Sequence, residues 1–362
     1  MSLVPKHIKN LSPYKPGKTI ESVQDKYKIK KIIKLASNEN PLGPSLKSLE
    51  LAITSLSDIH RYPDASGLKL RRKLAKIFNI NFENVILGSG SEGIMSSIMR
   101  TFLREEDELI SAENSFIGFR VLAMASGKKV VWVPKKNFRY DLPSIIKKIN
   151  NNTKIIYIAN PDNPTGTYIT NNEFDSFMKN VPDRVLVILD EAYFEYAENI
   201  DNYPDSMLYR YDNVITLRTF SKVYGLAGLR VGYGFAHHEL IDNLMKVKLP
   251  FEPSSVAQLA ALEALDDKEH LEETVLLNTK EIKITSDYLD NMGIQHIPSV
   301  ANFITIVFDS RDNVINLVQY LLENGIIVRD LIGFGLPKCI RVTIGTSEEN
   351  KLFLNKMKKY FN

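Results

Sequence analysis

A single cysteine, Cys339, stands among the 362 residues. An intramolecular disulfide is therefore excluded, and a reducing compartment is the expectation. No histidine lies close to Cys339 in sequence, so it reads as a buried strand residue and not as a nucleophile. Long apolar runs are missing too. None reaches the roughly 18 residues that a membrane span requires, and the opening MSLVPKHIKN carries no apolar segment of the signal-peptide kind. Neither sign of charge is in large excess, because 46 Lys and Arg face 43 Asp and Glu. A net +3 sets up no field for gripping nucleic acid or an anionic membrane. The tightest basic run, Lys356, Lys358 and Lys359, reads as the solvated face of a helix. Internal repeats and low-complexity tracts are absent. A cytoplasmic enzyme or binding protein is the class that remains.

What is present is a regular alternation. The length suits one large domain and a smaller one. Residues 1–34 are Lys-rich, with Pro13, Pro16, Gly17 and weak periodicity, and read as an N-terminal arm that needs another surface to pack on. Over 35–250, helical spacings such as PSLKSLELAITSL alternate with short apolar runs: NVILGSG, DELISA, KKVVWVP, TKIIYIANP, VLVILDEAY, NVITLRTF and RVGYGFA. Such runs, with helices interspersed, predict a mostly parallel sheet buried on both faces and wound into a large three-layer α/β/α domain. Pro250 and Pro253 mark the next boundary. Residues 251–362 then predict a small α+β domain, with a long helical pattern from Ser254 to a stop at Gly293. Strand NFITIVF, helix VINLVQYLLENG, strand CIRVTIG and a last helix capped by Thr346 or Ser347 follow. The fold class is α/β.

Two features carry chemistry. Gly88-Ser89-Gly90-Ser91-Glu92-Gly93 is a literal G-x-G-x-x-G between a strand and a helix, a spacing shared with dinucleotide-binding domains. It lies deep in the chain and not on the first strand. The physical content that survives is a phosphate site, with free backbone N–H groups at a helix N-terminus, and the ligand stays undecided. The second feature is a set of polar residues at strand ends, where open α/β sheets bind ligands. Asn160 ends one apolar run, Asp190 another, and Ser221 with Lys222 a third. Together they supply a donor for a ring hydroxyl, an anion for a ring nitrogen and an amine for a carbonyl, the groups that hold and tune a pyridinium aldehyde. Arg230, eight residues beyond Lys222, can reach the same phosphate as the Gly90 loop.

At these residues the chain resembles fold-type-I aminotransferases, through TFSKVYGLAGLRVGY, ANPDNPTG and LDEAY. The likeness extends from KLASNENPLGPS and RYPD to GIIVRDL and CIRVTIGTSEEN, nearly the whole chain, and is closest to the histidinol-phosphate aminotransferase subgroup. It implies pyridoxal 5'-phosphate as cofactor, held as a Schiff base on Lys222, which also serves as general base. Asp190 would pair with the ring nitrogen, Asn160 and Tyr193 would bond the ring's phenolic oxygen, and Phe116 would stack on the ring. Gly90, Ser91, Thr219, Ser221 and Arg230 would hold the cofactor phosphate. Arg341 and Arg329 would bind the substrate's anionic group, with Tyr14 closing over the substrate and Tyr62 reaching the neighbouring subunit's cofactor phosphate, which implies a homodimer with shared sites. The implied reaction is transamination between a small phosphorylated amine, histidinol phosphate with imidazole-acetol phosphate first, and 2-oxoglutarate with glutamate. Another phosphorylated amine, or decarboxylation on the same scaffold, is the alternative, and a nicotinamide-dependent oxidoreductase the reading from another class. Glu252 departs from the subgroup, many of whose members have asparagine there.

Overall fold

A strand whose sheet is covered by helices on both faces needs apolar side chains at nearly every position. The runs noted above meet that need. The computed structural model describes residues 3–13, 15–206 and 211–362. After a short β1 (Ile33–Leu35) come β2 (Val85–Gly88), β3 (Glu108–Ala112), β4 (Lys129–Val133), β5 (Thr153–Ala159), β6 (Leu186–Asp190), β7 (Val214–Thr219) and β8 (Gly232–Phe235). β2 to β8 form one sheet in the order β2-β8-β7-β6-β5-β3-β4. β8 runs against both its neighbours, and every other pairing is parallel.

Alternate side chains of β5 serve opposite faces, as the two-residue period of a strand requires. Ile155 and Tyr157 pack with residues of the helices Gly90–Phe102, Ile117–Ala125 and His238–Val247. Ile156 and Ile158 pack with Phe174 and Phe177 of the helix Asn171–Met178 and with Ile145. The result is the three-layer α/β/α domain that the pattern predicts.

The remaining strands, β9 (His296–Ile297), β10 (Phe303–Val307), β11 (Ile326–Asp330) and β12 (Cys339–Thr343), join β1 in a second sheet of order β1-β11-β12-β10-β9. Leu317 and Leu321 of the helix Arg311–Glu323 pack on it, with Phe353 and Met357 of the helix Ser347–Phe361. Thr346 caps that last helix in a reciprocal pair with Glu349.

The two sheets divide the chain differently from the expected limits at 34/35 and 250/251. β1 pairs parallel with β11, so residues 33–35 belong to the smaller sheet. The helix Ser255–Ala264 packs instead on Leu46–Ser55, where Ser48 Oγ donates to the Ala260 carbonyl at 2.7 Å. Periodicity identifies a strand or a helix but not its partner. Within the first 34 residues, the helix Ile20–Tyr27 buries only Val23, which rests on Ala36, Leu322 and Ile327.

One buried ion pair locks the part of the sheet that matters most. Arg218 on β7 is 1% exposed. Its Nε donates to Glu191 Oε2 at 2.8 Å, and its guanidinium carbon lies 3.3 Å from the centre of the Phe194 ring. Arg218 and Glu191 each stand next to a site residue, Thr219 and Asp190. Arg218→Met leaves the Glu191 carboxylate buried without its cation, and should cost about 3–5 kcal/mol. Urea denaturation measures it. The double replacement Glu191→Leu with Arg218→Met should cost less than Arg218→Met alone, and an equal or greater cost would contradict this account of the pair.

Candidate active site

Parallel strands end together, so the loops after them leave a crevice at the carboxyl edge of the sheet. Here the ends of β5, β6 and β7 and the turn after β2 enclose a cavity of about 220 Å³. Ser91, Phe116, Asp190, Tyr193, Thr219, Ser221, Lys222 and Arg230 all line it, as do Glu92 and Asn163, which the sequence reading did not single out. Glu92 stands inside the glycine motif, but nothing in that spacing shows that its side chain faces Arg230.

Part of the wall is a cup of donors. Gly90 takes a left-handed φ of 71° and opens the helix Gly90–Phe102. A Cβ at Gly90 would stand 2.7 Å from Arg230 Nη2, and one at Gly232 on β8 would stand 2.7 Å from Ser91 N. Lacking side chains, these glycines bring the start of the helix close to Arg230 and to the end of β7. Thr219 Oγ1 donates to Ser221 Oγ at 3.0 Å and accepts from the Ser221 backbone N–H at 3.1 Å. Arg230 Nη1 reaches Ser221 Oγ at 3.3 Å, and its Nη2 lies 3.4 Å from Glu92 Oε2. A helix N-terminus, two hydroxyls and a guanidinium make a site for a phosphate. Behind the cup, Ser89 Oγ donates to Glu252 Oε2 at 2.6 Å, so the acid at that variant position is tied to the glycine turn.

Asp190 is 4% exposed at the end of β6. Its Oδ2 accepts from Tyr157 OH at 2.8 Å, whereas its Oδ1 is buried and meets no hydrogen-bond partner among the described residues. Burial pushes its pKa up to about 7, with the Tyr157 bond and the Ala192 backbone opposing. A buried carboxylate oxygen left unmet is costly. Lys222, half-buried after β7, donates from Nζ to the Ser37 carbonyl at 3.4 Å and lies 5.6 Å from the centre of the Tyr193 ring. Burial, then the charge of Arg341 and to a smaller degree that of Arg230, pulls its pKa down to about 8 against Glu39. Tyr193 OH receives Asn38 Nδ2 at 2.8 Å and Asn163 Nδ2 at 3.2 Å.

Asn160 corrects the sequence reading. Its amide is turned away from the cavity onto the backbone of Ile169, accepting from the N–H at 2.7 Å and donating to the carbonyl at 3.3 Å. That pair closes the loop after β5. Asn163, three residues on, takes the place at the cavity. Its neighbour Asp162 is held by Lys135 at 2.5 Å, by Ser115 Oγ at 2.7 Å and by Thr165 Oγ1 at 2.6 Å, which turns Asn163 toward Tyr193.

Arg341 adjoins the cavity through Asn163, donating from Nη1 to its Oδ1 at 2.5 Å and from Nη2 to the Ala36 carbonyl at 2.9 Å. Arg329 is its direct cross-strand partner on β11 and donates to the Lys15 carbonyl at 2.8 Å. Tyr62 is not in the wall. It is 80% exposed and stacks on Phe251 with ring centres 4.3 Å apart. Tyr14 lies outside the described residues.

Pyridoxal phosphate fits this donor set: a cup for its phosphate, an amine for its carbonyl, and in Asp190 Oδ1 an unmet acceptor for a protonated ring nitrogen. Fold and cavity define a pyridoxal-phosphate-dependent transferase of fold type I. The comparisons with known proteins agree, and the chain belongs to the aminotransferases of class I and II, whose family model matches residues 30–357. It is 40% identical over 349 residues to histidinol-phosphate aminotransferase 1 of Nitrosococcus oceani, covering 96% of this chain and 94% of the other. It is 41% identical over 350 residues to histidinol-phosphate aminotransferase of a Geobacillus species, covering 96% and 95%. The crystal structure of histidinol-phosphate aminotransferase from Sinorhizobium meliloti in complex with pyridoxal-5'-phosphate superposes with a TM-score of 0.91 at 26% identity, over 100% of this chain and 98% of that one.

The state of Asp190 yields a test in the cofactor-free protein. Its pKa rises from 3.8 to about 7 on folding, so the folded chain holds that proton more tightly. The stability it contributes is complete below the unfolded value and is lost as pH climbs through the folded one. Asp190→Asn, which cannot ionise, should therefore gain on the parent steadily between those two values. Denaturation midpoints of both proteins across this range check it, and a difference that does not change with pH would show that Asp190 is not buried as described.

Proposed function

We propose that this aminotransferase moves an amino group between a small phosphorylated amine, histidinol phosphate first, and 2-oxoglutarate. The observation that carries the substrate class is the direct opposition of Arg329 and Arg341 on the antiparallel pair β11 and β12. Like charges facing each other across two strands repel, and an anion between them relieves that. A phosphate monoester carries close to two charges and three acceptor oxygens, enough to engage two guanidiniums, whereas a carboxylate is satisfied by one bidentate arginine. The names of the relatives at about 40% identity support the same substrate.

When bound, pyridoxal phosphate supplies a carbonyl that takes up amines and a ring that accepts the electron pair left when a substrate carbon loses its proton. The chain's own residues do the rest. Lys222 Nζ is the amine that anchors the cofactor and the base that moves the substrate proton. Its lowered pKa leaves a useful share neutral near pH 7–8. Asp190 keeps the ring nitrogen protonated, Tyr193 and Asn163 serve the ring's phenolic oxygen, Phe116 covers a ring face, and Ser91, Thr219, Ser221 and Arg230 hold the phosphate. Loss of Arg329 or Arg341 should weaken transition-state binding of histidinol phosphate by about 2–5 kcal/mol and that of unphosphorylated histidinol far less. Single-turnover rates with the amine alone keep the oxo acid, which competes for the same arginines, out of the measurement. Equal rates for the two amines, unchanged in both variants, would end the phosphate reading.

We also propose a homodimer with shared sites. Leu46, Leu49, Ile53 and Leu56 form an exposed apolar stripe that continues past Ile59 to Tyr62 and Phe251. Such a stripe needs a cover, and a second copy would bring Tyr62 to the partner's phosphate cup. Mixing inactive Lys222→Ala with inactive Tyr62→Ala protomers should restore activity, because a mixed dimer builds one intact site. No recovery after demonstrated subunit exchange would show that Tyr62 does not act across an interface.

A further inference from the structure

Three successive residues between β1 and the large domain meet three different groups of the site. The Ala36 carbonyl takes Arg341 Nη2 at 2.9 Å, the Ser37 carbonyl takes Lys222 Nζ at 3.4 Å, and Asn38 Nδ2 donates to Tyr193 OH at 2.8 Å. Asn38 is 1% exposed and holds a left-handed φ of 55°, a conformation that asparagine and glycine tolerate better than other residues. Its remaining polar groups are all engaged by the smaller sheet and the chain leading into it. The backbone N–H donates to Thr343 Oγ1 at 2.9 Å, Oδ1 accepts from Thr343 Oγ1 at 3.1 Å, and the carbonyl accepts from Asn302 Nδ2 at 3.2 Å.

These bonds decide which way the tyrosine proton points. A guanidinium only donates, so Arg341 on Asn163 Oδ1 leaves the Asn163 amide nitrogen facing Tyr193. Thr343, already accepting from the Asn38 N–H, gives its proton to Asn38 Oδ1, which turns the other amide nitrogen to the same phenol. Both of these neighbours present N–H groups to the phenol oxygen, and neither offers an acceptor for its own proton. The proton is then directed into the cavity.

We propose that Asn38 is a positioning residue that makes Tyr193 an obligate hydrogen-bond donor to the ring oxygen of the cofactor, and that ties this donor to the smaller sheet through Thr343. The inference rests on the placement of the cofactor ring beside Tyr193 proposed above. The charged groups around the phenol, Arg341, Asp190, Asp162 and Lys222, are unchanged by Tyr193→Phe and Asn38→Gly, whereas Asn38→Asp adds a carboxylate whose direct effect on the midpoint is measured in the Tyr193→Phe background.

The readout is the pH midpoint of the visible absorption change of the pyridoxal-phosphate-loaded protein, which rises when the ring oxygen loses a donor. Tyr193→Phe should raise it. Asn38→Gly, which keeps the left-handed backbone and deletes only the amide, should raise it by about half a unit with Tyr193 present. In the Tyr193→Phe background the same change should add nothing, because the two residues act as one unit. If the glycine variant does not fold, Asn38→Asp keeps the size and the backbone tolerance. It puts an acceptor beside the phenol, and it should raise the midpoint further with Tyr193 than without it. A rise of equal size in both backgrounds, or an unmoved midpoint in a folded Asn38 variant while Tyr193→Phe shifts it, overturns the role of Asn38 alone. An unmoved midpoint in Tyr193→Phe itself overturns the ring placement and this inference with it.

Discussion

Asp190 is buried at the end of β6 with only one of its two oxygens satisfied, and much of the large domain bears on keeping it there. Its backbone carbonyl accepts from Asn160 N–H, and its Oδ2 from Tyr157, whose ring stacks on Phe119 in the helical layer. The next residue, Glu191, is locked to Arg218 on β7. The carboxylate is therefore fixed in position, and burial outweighs the hydrogen bonds from Tyr157 and the Ala192 backbone that favour its charge. A cationic ring nitrogen placed there would offset that burial and favour the loaded protein over the empty one.

The rest of the site is arranged around the opposite sign. Lys222 lies near Arg230 and Arg341, and both guanidiniums lower the tolerance of the lysine for charge. Lysine responds by giving up its proton more easily, which arginine cannot do. The result is an amine that is readily neutral, set between two permanent cations, each of which would face an anion: one at the cup by Arg230, and one at the cross-strand pair of Arg341 and Arg329. The smaller sheet enters this arrangement through residues 36–38, so the position of one sheet against the other is felt by Lys222, Arg341 and Tyr193 together.

How much of this was legible before the fold is clear from particular residues. Lys222, Asp190 and Ser221 were found because each follows an apolar run, and a parallel sheet sends all such strand ends to one edge, whereas Arg230 was found by its short distance in sequence from Lys222. Asn160 was chosen by the same rule and is misplaced, because the residue directly after β5 closes its own loop on Ile169. The asparagine that faces the cavity is Asn163, and what turns it there is the buried bond between Asp162 and Lys135, residues 27 positions apart on different elements. No local spacing announces that bond. β1 was missed for a similar reason: IKL reads as a short apolar stretch, and only β11, nearly three hundred residues later, makes it a strand.

The sequence by itself determined the class of fold and the chemistry of the cavity. The apolar runs admit only a sheet buried on both faces, and an amine, a carboxylate and a glycine-rich turn at strand ends restrict what can bind there. Tertiary structure decided which of two asparagines serves the site, where the smaller unit begins, and that Arg329 and Arg341 stand face to face. These depend on pairings between distant segments, whose free energy comes from burial and hydrogen bonds formed only after the chain has closed on itself. Local spacing carries no record of them.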